Sequence, residues 1–281
     1  MHTRHKAGEP AANNSGRAFD TAAGRYDADA TRNPMMGWLR RESLSSLRRA
    51  FGPGDRVLEV GCGTGEEAVA LARNGVHVVA TDASPVMVEV TSRKFSAQGF
   101  EAGQAEAFVL PVEEMEDLVG RYGMHTLDGA YSSLGALNCA PDLAAAASSL
   151  GRLVRPGGVV VISLLGKYCL WETLWYVAHA NTGLAFRRWR GRATGTAIPG
   201  GPHLTVYYWP LRYVEQQFSP YFEMLESRAM PWILPPTYAA SWLRGRPRLL
   251  RLLSSVERST SRYWPFYTLG DHVQLVIRRK G

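Results

Sequence analysis

Glycines and an acid are spaced along the segment VLEVGCGTGEEAVALARNGVHVVATDASPVM (Val57 to Met87) in a way that suits ligand binding. The run GCGTG, at Gly61 to Gly65, is one that neither a strand nor a helix favours, and glycine lets a backbone approach a ligand closely. Asp82 follows about twenty residues later, where an acid can accept a hydrogen bond from a ribose hydroxyl. The segment therefore predicts a site for a ligand that contains ribose.

The elements around this segment position the glycines and the acid. Val57–Val60 is a short β-branched run that predicts a strand. Thr64–Glu67 has the spacing of a capping box, which predicts that a helix begins there, and Gly75 is placed to end it. Val76–Ala80 predicts a second strand that leads to Asp82. The order strand, turn, helix, strand places the loop and the acid at one edge of a sheet.

Two glutamates argue against a dinucleotide as the ligand. The dinucleotide loop G-x-G-x-x-G, started at Gly61, would require glycine at position 66, where this chain has Glu66. Glu66 and Glu67 would also place two carboxylates near a pyrophosphate, although acids at a helix start are ordinarily favourable through capping. A cofactor without phosphates suits this entrance better.

The pattern Glu59-x-Gly61-x-Gly63-x-Gly65, followed by Asp82 and the sequence DASPVM, resembles the class I S-adenosylmethionine (SAM) methyltransferases. The resemblance implies that the glycines approach the methionine part of SAM, that Glu59 binds its ammonium group, and that Asp82 binds both ribose hydroxyls. The residues expected to bind the cofactor are Tyr26, Glu59, Gly61, Cys62, Gly63, Gly65, Asp82, Ala83, Val112, Glu113 and Ser132.

The adenine end departs from the family pattern. Many members have Asp-Ala after the third strand, whereas this chain has Pro111-Val112. By resemblance, the backbone N–H of Val112 would contact the adenine ring, and Glu113 would take over the contact with its amino group.

The rest of the chain predicts an α/β fold with a doubly wound, mostly parallel, seven-stranded Rossmann-like sheet. By resemblance the last strand, within Asp271–Lys280, is antiparallel. Residues 1–18 are expected to be a disordered tail, and residues 19–281 to form the methyltransferase domain. Two insertions, at about 166–210 and 231–270, leave the sheet at its ligand edge and are expected to form a cap over the active site.

Aromatic residues are concentrated in these two insertions, which hold 16 of the 29 aromatics in the chain. They include Trp171, Trp175, Trp209, Trp232 and Trp264. Two interpretations are open: the aromatics pack a small core of the cap, or they line a pocket for an apolar or aromatic substrate. The arginine clusters at Arg187–Arg192 and Arg244–Leu253 leave open a contact with an anionic membrane, a contact with an anionic substrate or a solvated face.

Methyl transfer from a sulfonium needs no protonation of the leaving group, so positioning of the acceptor can supply much of the rate. A base is required if the acceptor arrives protonated. His272, beside Asp271 at the expected ligand edge, is the best-placed candidate for a catalytic base.

Composition limits the remaining functions. A net charge of +7 is compatible with nucleic-acid binding. However, 28 of the 32 basic residues are arginine and no nucleic-acid module is evident, so nucleic-acid binding is not expected. The three cysteines have neither disulfide nor metal spacing, and no apolar run approaches a membrane span, so a cytoplasmic location is expected. The sequence predicts a methyltransferase for a small, rather hydrophobic or amphiphilic molecule, with no metal. The alternative is a non-catalytic SAM-binding regulatory or scaffold protein. The oligomeric state stays open.

Overall fold

The computed structural model describes residues 16, 18–20, 23–101, 103–197, 203–243 and 245–281. The tail predicted for residues 1–18 lies almost entirely outside the described residues.

Seven of the nine described strands form one sheet. The strands are β1 (Arg56–Val60), β2 (His77–Asp82), β3 (Ala105–Val109), β4 (Leu127–Ser132), β5 (Val154–Leu165), β6 (Arg192–Ala197), β7 (His203–Tyr207), β8 (Phe222–Met230) and β9 (His272–Arg279). The large sheet has the order β3-β2-β1-β4-β5-β9-β8, and β6 with β7 forms a separate hairpin. Strands β1 to β5 pair in parallel, whereas β9 runs antiparallel to both β5 and β8. The predicted fold class is confirmed, including the antiparallel last strand.

Helices cover both faces of this sheet. They are α1 (Ala23–Arg32), α2 (Pro34–Ala50), α3 (Glu66–Ala72), α4 (Pro85–Ala97), α5 (Glu116–Tyr122), α6 (Leu143–Leu153), α7 (Leu170–Ala178), α8 (Thr182–Ala185), α9 (Leu211–Phe218) and α10 (Pro247–Thr260). Local sequence explains several starts. Asn33 caps α2 and Ser84 caps α4, each followed by a proline whose fixed φ suits the first helical turn.

The predicted capping box at Thr64 is wrong. Helix α3 begins at Glu66 after Gly65, which has φ +74° and supplies no side-chain cap. The Thr64 hydroxyl instead donates to the Asp27 carboxylate of α1 at 2.6 Å. A tertiary hydrogen bond has therefore replaced the local one.

Apolar side chains form a core on each face of the sheet. On one face, β1, β4, β5 and β9 pack against α6 and α9 through a cluster that includes Leu150, Ile162 and Phe218. On the other face, the strands pack against α2 and α3 through Leu47, Leu71 and related residues.

A polar network lies inside the second of these faces. The buried Gln274 of β9 accepts hydrogen bonds from Ser46 at 2.7 Å and from Arg228 at 2.9 Å, and donates to Ser163 at 3.2 Å. These contacts join β9 to α2, β5 and β8.

Both long insertions attach at one row of the sheet. His272 pairs with Leu165, the last residue of β5, and with Met230, the last residue of β8. The first insertion contains α7, α8 and the β6–β7 hairpin, and the second contains a 3-10 turn (Thr237–Leu243) and α10. Because each insertion leaves or returns at this row, both start from the same edge of the sheet. Their role as a cap remains a prediction.

A buried ionic cluster joins the two insertions. Arg188 of the first insertion donates to the Glu172 carboxylate at 2.8 Å and to the Asp271 carboxylate at 2.6 Å, next to β9. Arg187 also binds Glu172, and the Tyr238 hydroxyl lies 3.3 Å from it. Burial raises the pKa of Glu172, but the two arginines outweigh burial and hold it below its usual value.

Candidate active site

A cavity of about 990 Å³, partly open to solvent, lies at the carboxyl ends of β1, β2 and β4. This is the edge where parallel α/β sheets bind their ligands. The lining residues include Phe19, Arg40, Glu59, Gly61, Cys62, Gly63, Thr64, Glu67, Asp82, Ala83, Met87, Leu110, Val112, Glu113, Ser133, Leu134, Gly135 and Ala136.

The glycine loop forms one wall of this cavity. Gly61 and Gly63 have φ of +76° and +53°, a region in which side-chain-bearing residues are strained. A Cβ at Gly61 would overlap the Ala136 side chain, whereas a Cβ at Gly63 would have no atom of the described residues beyond its chain neighbours within 4 Å. Gly61 is therefore needed for packing of the loop, and Gly63 leaves space in the cavity.

Two buried glutamates face the loop without a full set of partners. Glu59 is 1% exposed, and one of its carboxylate oxygens has no hydrogen-bond partner among the described residues. Glu67 is also buried, and one of its carboxylate oxygens likewise has no hydrogen-bond partner among the described residues. Burial, with the neighbouring Glu67 charge, raises the pKa of Glu59 well above its usual value. Burial likewise raises the pKa of Glu67.

Tyr131 adds to this buried polar group. It is the register partner of Glu59 on β4, and its buried hydroxyl lies next to the Glu59 carboxylate. Burial and the Glu59 charge raise the pKa of Tyr131 well above 10.0, so the phenol stays neutral. A buried carboxylate with unsatisfied oxygens is costly unless a cation or donor binds it. The arrangement therefore fits a cationic ligand.

Asp82 ends β2 at the opposite side of the loop. One carboxylate oxygen accepts the backbone N–H of Gly63 at 2.8 Å, and the other accepts the N–H of Ser84 at 2.9 Å. Burial raises the pKa of Asp82, although both hydrogen bonds act to lower it. These bonds fix the carboxylate in the cavity wall with acceptor capacity left for ligand hydroxyls.

The N-terminal helices pack against the glycine loop from outside the sheet. The Asp27 carboxylate of α1 accepts hydrogen bonds from Thr64 and Lys94, each at 2.6 Å, and lies 3.5 Å from Arg40 of α2. Burial raises the pKa of Asp27, but the hydrogen bonds from Lys94 and Thr64 outweigh burial and lower it. Helix α1 is thus fastened directly to the glycine loop.

The structure gathers most of the predicted cofactor residues around the cavity. Those that line it are Glu59, Gly61, Cys62, Gly63, Asp82, Ala83, Val112 and Glu113. Gly65 lies behind the loop against Thr91. Ser132 is buried and donates to the carbonyl of Val60 at 2.9 Å, and the next residue, Ser133, lines the cavity instead. Tyr26 lies in α1, and its side chain is outside the described residues.

Several cavity residues were not predicted from the sequence. Glu67 was assigned to helix capping, although its position beside the glycine loop was a usable signal. Arg40 and Phe19 come from residues 1–40, which the family resemblance predicts to cover the cofactor without indicating these two residues.

His272 lies away from this cavity. The side chain is buried at the start of β9, and its Nδ1 is 3.2 Å from the Asp271 carboxylate. His272 lines neither this cavity nor the one described next. Its assignment as a base therefore remains a prediction from the sequence.

A second cavity, with about 940 Å³ of empty space that includes open solvent, lies beside the ends of β5 and β9. Its walls are largely apolar, with Lys167 and Arg212 as the cationic members and no acid among the described residues that line it. Leu165 is part of this wall and also packs against Gly135, which lines the first cavity. The side chain of Asn138 holds Leu165 in place through hydrogen bonds to its backbone N–H and carbonyl.

Comparisons with known proteins agree with this geometry. Residues 57–158 match the family model described as a methyltransferase domain. Malonyl-acyl carrier protein O-methyltransferase of Serratia marcescens is 34% identical over 155 residues, which are 55% of this chain and 54% of that protein. Demethylmenaquinone methyltransferase of Beutenbergia cavernae is 34% identical over 147 residues, 52% and 55% of the two chains. The chain thus spans about half the length of these curated relatives.

A solved structure extends the likeness to nearly the whole chain. The cyclase SpnF superimposes with a TM-score of 0.63 at 14% identity, covering 97% of this chain and 98% of the other. At this identity the likeness shows the fold alone. Residues 57–158 thus match a methyltransferase domain in sequence, and the sheet order and the glycine loop agree with that match. S-adenosylmethionine is the cofactor that this match supports.

Replacing Asp82 by alanine should weaken SAM binding by about 1–3 kcal/mol, because charge-assisted hydrogen bonds to the ribose are lost. Calorimetry on the folded variant measures this change, with Asp117→Ala, an exposed acid of α5, as the matched control. Unchanged affinity in Asp82→Ala would remove the ribose assignment. NAD should show no binding at the same concentration.

Proposed function

We propose that the protein is an enzyme that moves the methyl group of SAM to O, N or C of a small, rather hydrophobic or amphiphilic molecule. The observation that carries the proposal is the pair of buried, incompletely partnered carboxylates of Glu59 and Glu67 beside the glycine loop. SAM is a cation at both its sulfur and its ammonium group. These carboxylates therefore support a cationic cofactor over a phosphate-bearing one.

The residues of the cavity fit SAM along its length. Glu59 would bind the ammonium group, Asp82 the ribose hydroxyls, and Val112 with Glu113 the adenine end. The cofactor, when bound, supplies a methyl group on a positively charged sulfur. The Thr64–Asp27–Lys94 contacts hold α1 against the loop, which would limit the entry of water.

Methyl transfer from SAM requires little acid–base catalysis by the protein. The protein has to hold the acceptor atom in line with the methyl group and keep water away. Apolar residues of the cavity, such as Leu110, Leu134 and Ala136, are suited to that task.

The acceptor class is inferred from the second cavity. Its apolar wall favours a molecule with apolar area, at about 25 cal/mol per Å² buried. Lys167 and Arg212 favour a negatively charged or polar group at its edge. The names of the two relatives above indicate acceptors of differing chemistry, which supports a small-molecule acceptor without defining it.

Incubation of the protein with methyl-labelled SAM and fractionated host metabolites tests the proposal. Label should enter a fraction of amphiphilic molecules, and Asp82→Ala should reduce the uptake. SAM binding by calorimetry with no label in any fraction would instead favour the non-catalytic SAM-binding alternative.

Trp209 offers a direct test of the acceptor site. It lines the second cavity, stacks between Tyr207 and Tyr213, and has a buried indole N–H without a partner among the described residues. Trp209→Phe keeps an aromatic ring there but removes the donor, so KM for the acceptor should rise about 3- to 15-fold, the equivalent of one lost hydrogen bond.

The matched control is Trp264→Phe, since Trp264 is 77% exposed and outside the lining of both cavities. It should change neither KM nor the melting temperature. A fall in melting temperature without a change of KM in Trp209→Phe would assign Trp209 to packing of the insertion. A packing role is supported for Trp171 and Trp232, because their indole N–H groups donate to the Ile233 carbonyl and the Thr260 hydroxyl.

A further inference from the structure

Helix α7 buries its charged side chain and exposes apolar side chains, which is the reverse of an ordinary surface helix. Its single charged residue, Glu172, is 1% exposed because it binds Arg187 and Arg188. Leu170, Leu174 and Val177 are exposed, and their spacing of four and three residues places them on one side of the helix. A surface helix normally presents charge to water and apolar residues to the core. This helix therefore has an apolar outer side that the described chain leaves uncovered.

The apolar surface continues onto the segment that follows α7. Leu184, Phe186 and Trp189 are exposed, and Phe186 and Trp189 contact edge to face at 5.4 Å. The Thr173 hydroxyl donates to the Ala185 carbonyl, which packs α8 against α7. We call the exposed side chains of α7 and of residues 184–189 the outer face.

The charge of the two insertions has one sign at the surface. Residues 166–210 and 231–270 hold eleven Lys and Arg but two acids, whereas the rest of the chain has slightly more acids than bases. The two acids, Glu172 and Glu257, are each 1% exposed. Within these insertions, the described residues present arginine to solvent, while their own two carboxylates are buried. Arg258 and Arg262 nevertheless pair with acids from outside the insertions.

One exposed arginine adjoins the outer face, and two more lie on α10 of the other insertion. Arg190 follows Trp189 directly, and Arg248 and Arg251 lie on α10. All three are exposed, and none has an ion pair with another described residue. An apolar surface bordered by unpaired cations complements a partner that is both apolar and anionic.

We propose that the outer face docks on the surface of a bilayer that contains anionic phospholipid. Trp, Tyr and Arg are the residues that favour the boundary between lipid chains and headgroups. Helix α7 has nine residues, and no helix of the described chain can span a bilayer, so the contact is at the surface. This docking is separate from methyl transfer and does not depend on it.

Two other occupants fit the charge less well. A second copy of the chain would bring the same excess of arginine against itself, which costs free energy at the contact. An acidic protein would match the charge, but it would have to match the shape of scattered side chains on two insertions. A fluid bilayer accepts such side chains without a fixed shape.

Flotation of the whole protein with vesicles tests the proposal. Binding is expected to vesicles that contain phosphatidylglycerol and phosphatidylcholine, to be weak on phosphatidylcholine alone, and to decline as salt rises. Leu174→Ser and Arg190→Glu, each at an exposed position, should together weaken binding at least about tenfold, since each arginine near an anionic surface contributes about 1 kcal/mol.

Matched controls lie outside the insertions. Leu225→Ser, at a position 43% exposed on β8, and Arg93→Glu on α4 carry the same changes and should leave vesicle binding intact. Equal loss in control and test variants, or no binding to anionic vesicles, would overturn the proposal. A dimer that Leu174→Ser dissociates would also overturn the proposal. Stronger binding to an acidic protein, such as a carrier that bears polyglutamate, than to vesicles would overturn it too. SAM affinity should stay unchanged in all four variants, which separates this test from that of the methyltransferase.

Discussion

Glu59→Gln should raise the stability of the ligand-free protein while weakening its affinity for SAM, two effects of opposite sign. We expect the free energy of unfolding to rise by about 0.5–2 kcal/mol at neutral pH, as is common when a functional residue that strains the fold is replaced. We expect SAM binding to weaken by about 2–5 kcal/mol, because a buried charge pair with the ammonium group is removed.

The pKa of Glu59 explains the gain in stability. Burial, with Glu67 nearby, raises this pKa well above the ordinary value of 4.5, so the folded protein binds a proton that the unfolded chain releases. Stability from this group is therefore full below about pH 4.5 and is lost as pH rises through the raised pKa. Glutamine has nearly the same shape and no charge to bury, so it removes this loss.

Thermal unfolding against pH and calorimetry with SAM measure both effects. The variant should show a flatter decline of stability above about pH 4.5 than the natural protein. Glu89→Gln, an exposed acid on α4, is the matched control and should change neither quantity. A variant that loses stability and affinity together would show that Glu59 supports the fold, and the ammonium assignment would fail.

Arg188→Met should lower the free energy of unfolding by about 3–5 kcal/mol, the cost of leaving buried carboxylates without their partner. Arg188 is buried and donates to Glu172 and to both the carboxylate and the carbonyl of Asp271. Burial raises the pKa of Asp271, but Arg188 and then His272 outweigh burial and hold it far below its usual value. Without Arg188, burial should dominate, and the pKa values of Asp271 and Glu172 should rise.

The pH dependence identifies this mechanism. Because raised pKa values favour the folded state at low pH, the deficit of Arg188→Met should be smallest near pH 4 and should grow toward neutral pH. Chemical denaturation at several pH values measures it. Adding Glu172→Gln and Asp271→Asn should restore much of the loss. Arg190→Met, two residues along and exposed, should have no effect on stability. A deficit independent of pH would point to lost packing.

Much of the sheet could be predicted from the sequence because its signals are local. The β-branched run before Gly61, the helix start at Ser84-Pro85 and the buried strand ending at Leu165 each have a pattern within a few residues. The insertions could not be predicted in the same way. Helix α7 turns its charge inward to Arg188, a contact that depends on the fold.

The candidate site likewise contains residues that local sequence predicts and residues that only the fold brings together. Glu59, Gly61 and Asp82 lie within one strand–loop–helix–strand unit, so their spacing predicted a shared cavity. Arg40 enters the cavity from α2, and Thr64 binds Asp27 from α1, and both contacts join separate parts of the chain. His272 was expected at the ligand edge, which it occupies, but its side chain faces Asp271. Edge position alone does not fix the direction of a side chain.

The hydrogen bonds of Gln274 determine more than the packing of β9. A shift of that strand by one residue would move the amide to the opposite face of the sheet, into the cluster that holds Val273 and Leu275. There the amide would lose Ser46, Ser163 and Arg228, at the cost of an unsatisfied polar group. The amide therefore specifies a single alignment of the strand. Since both insertions are anchored at the first residue of β9, one glutamine sets the alignment of the two insertions at this edge of the sheet.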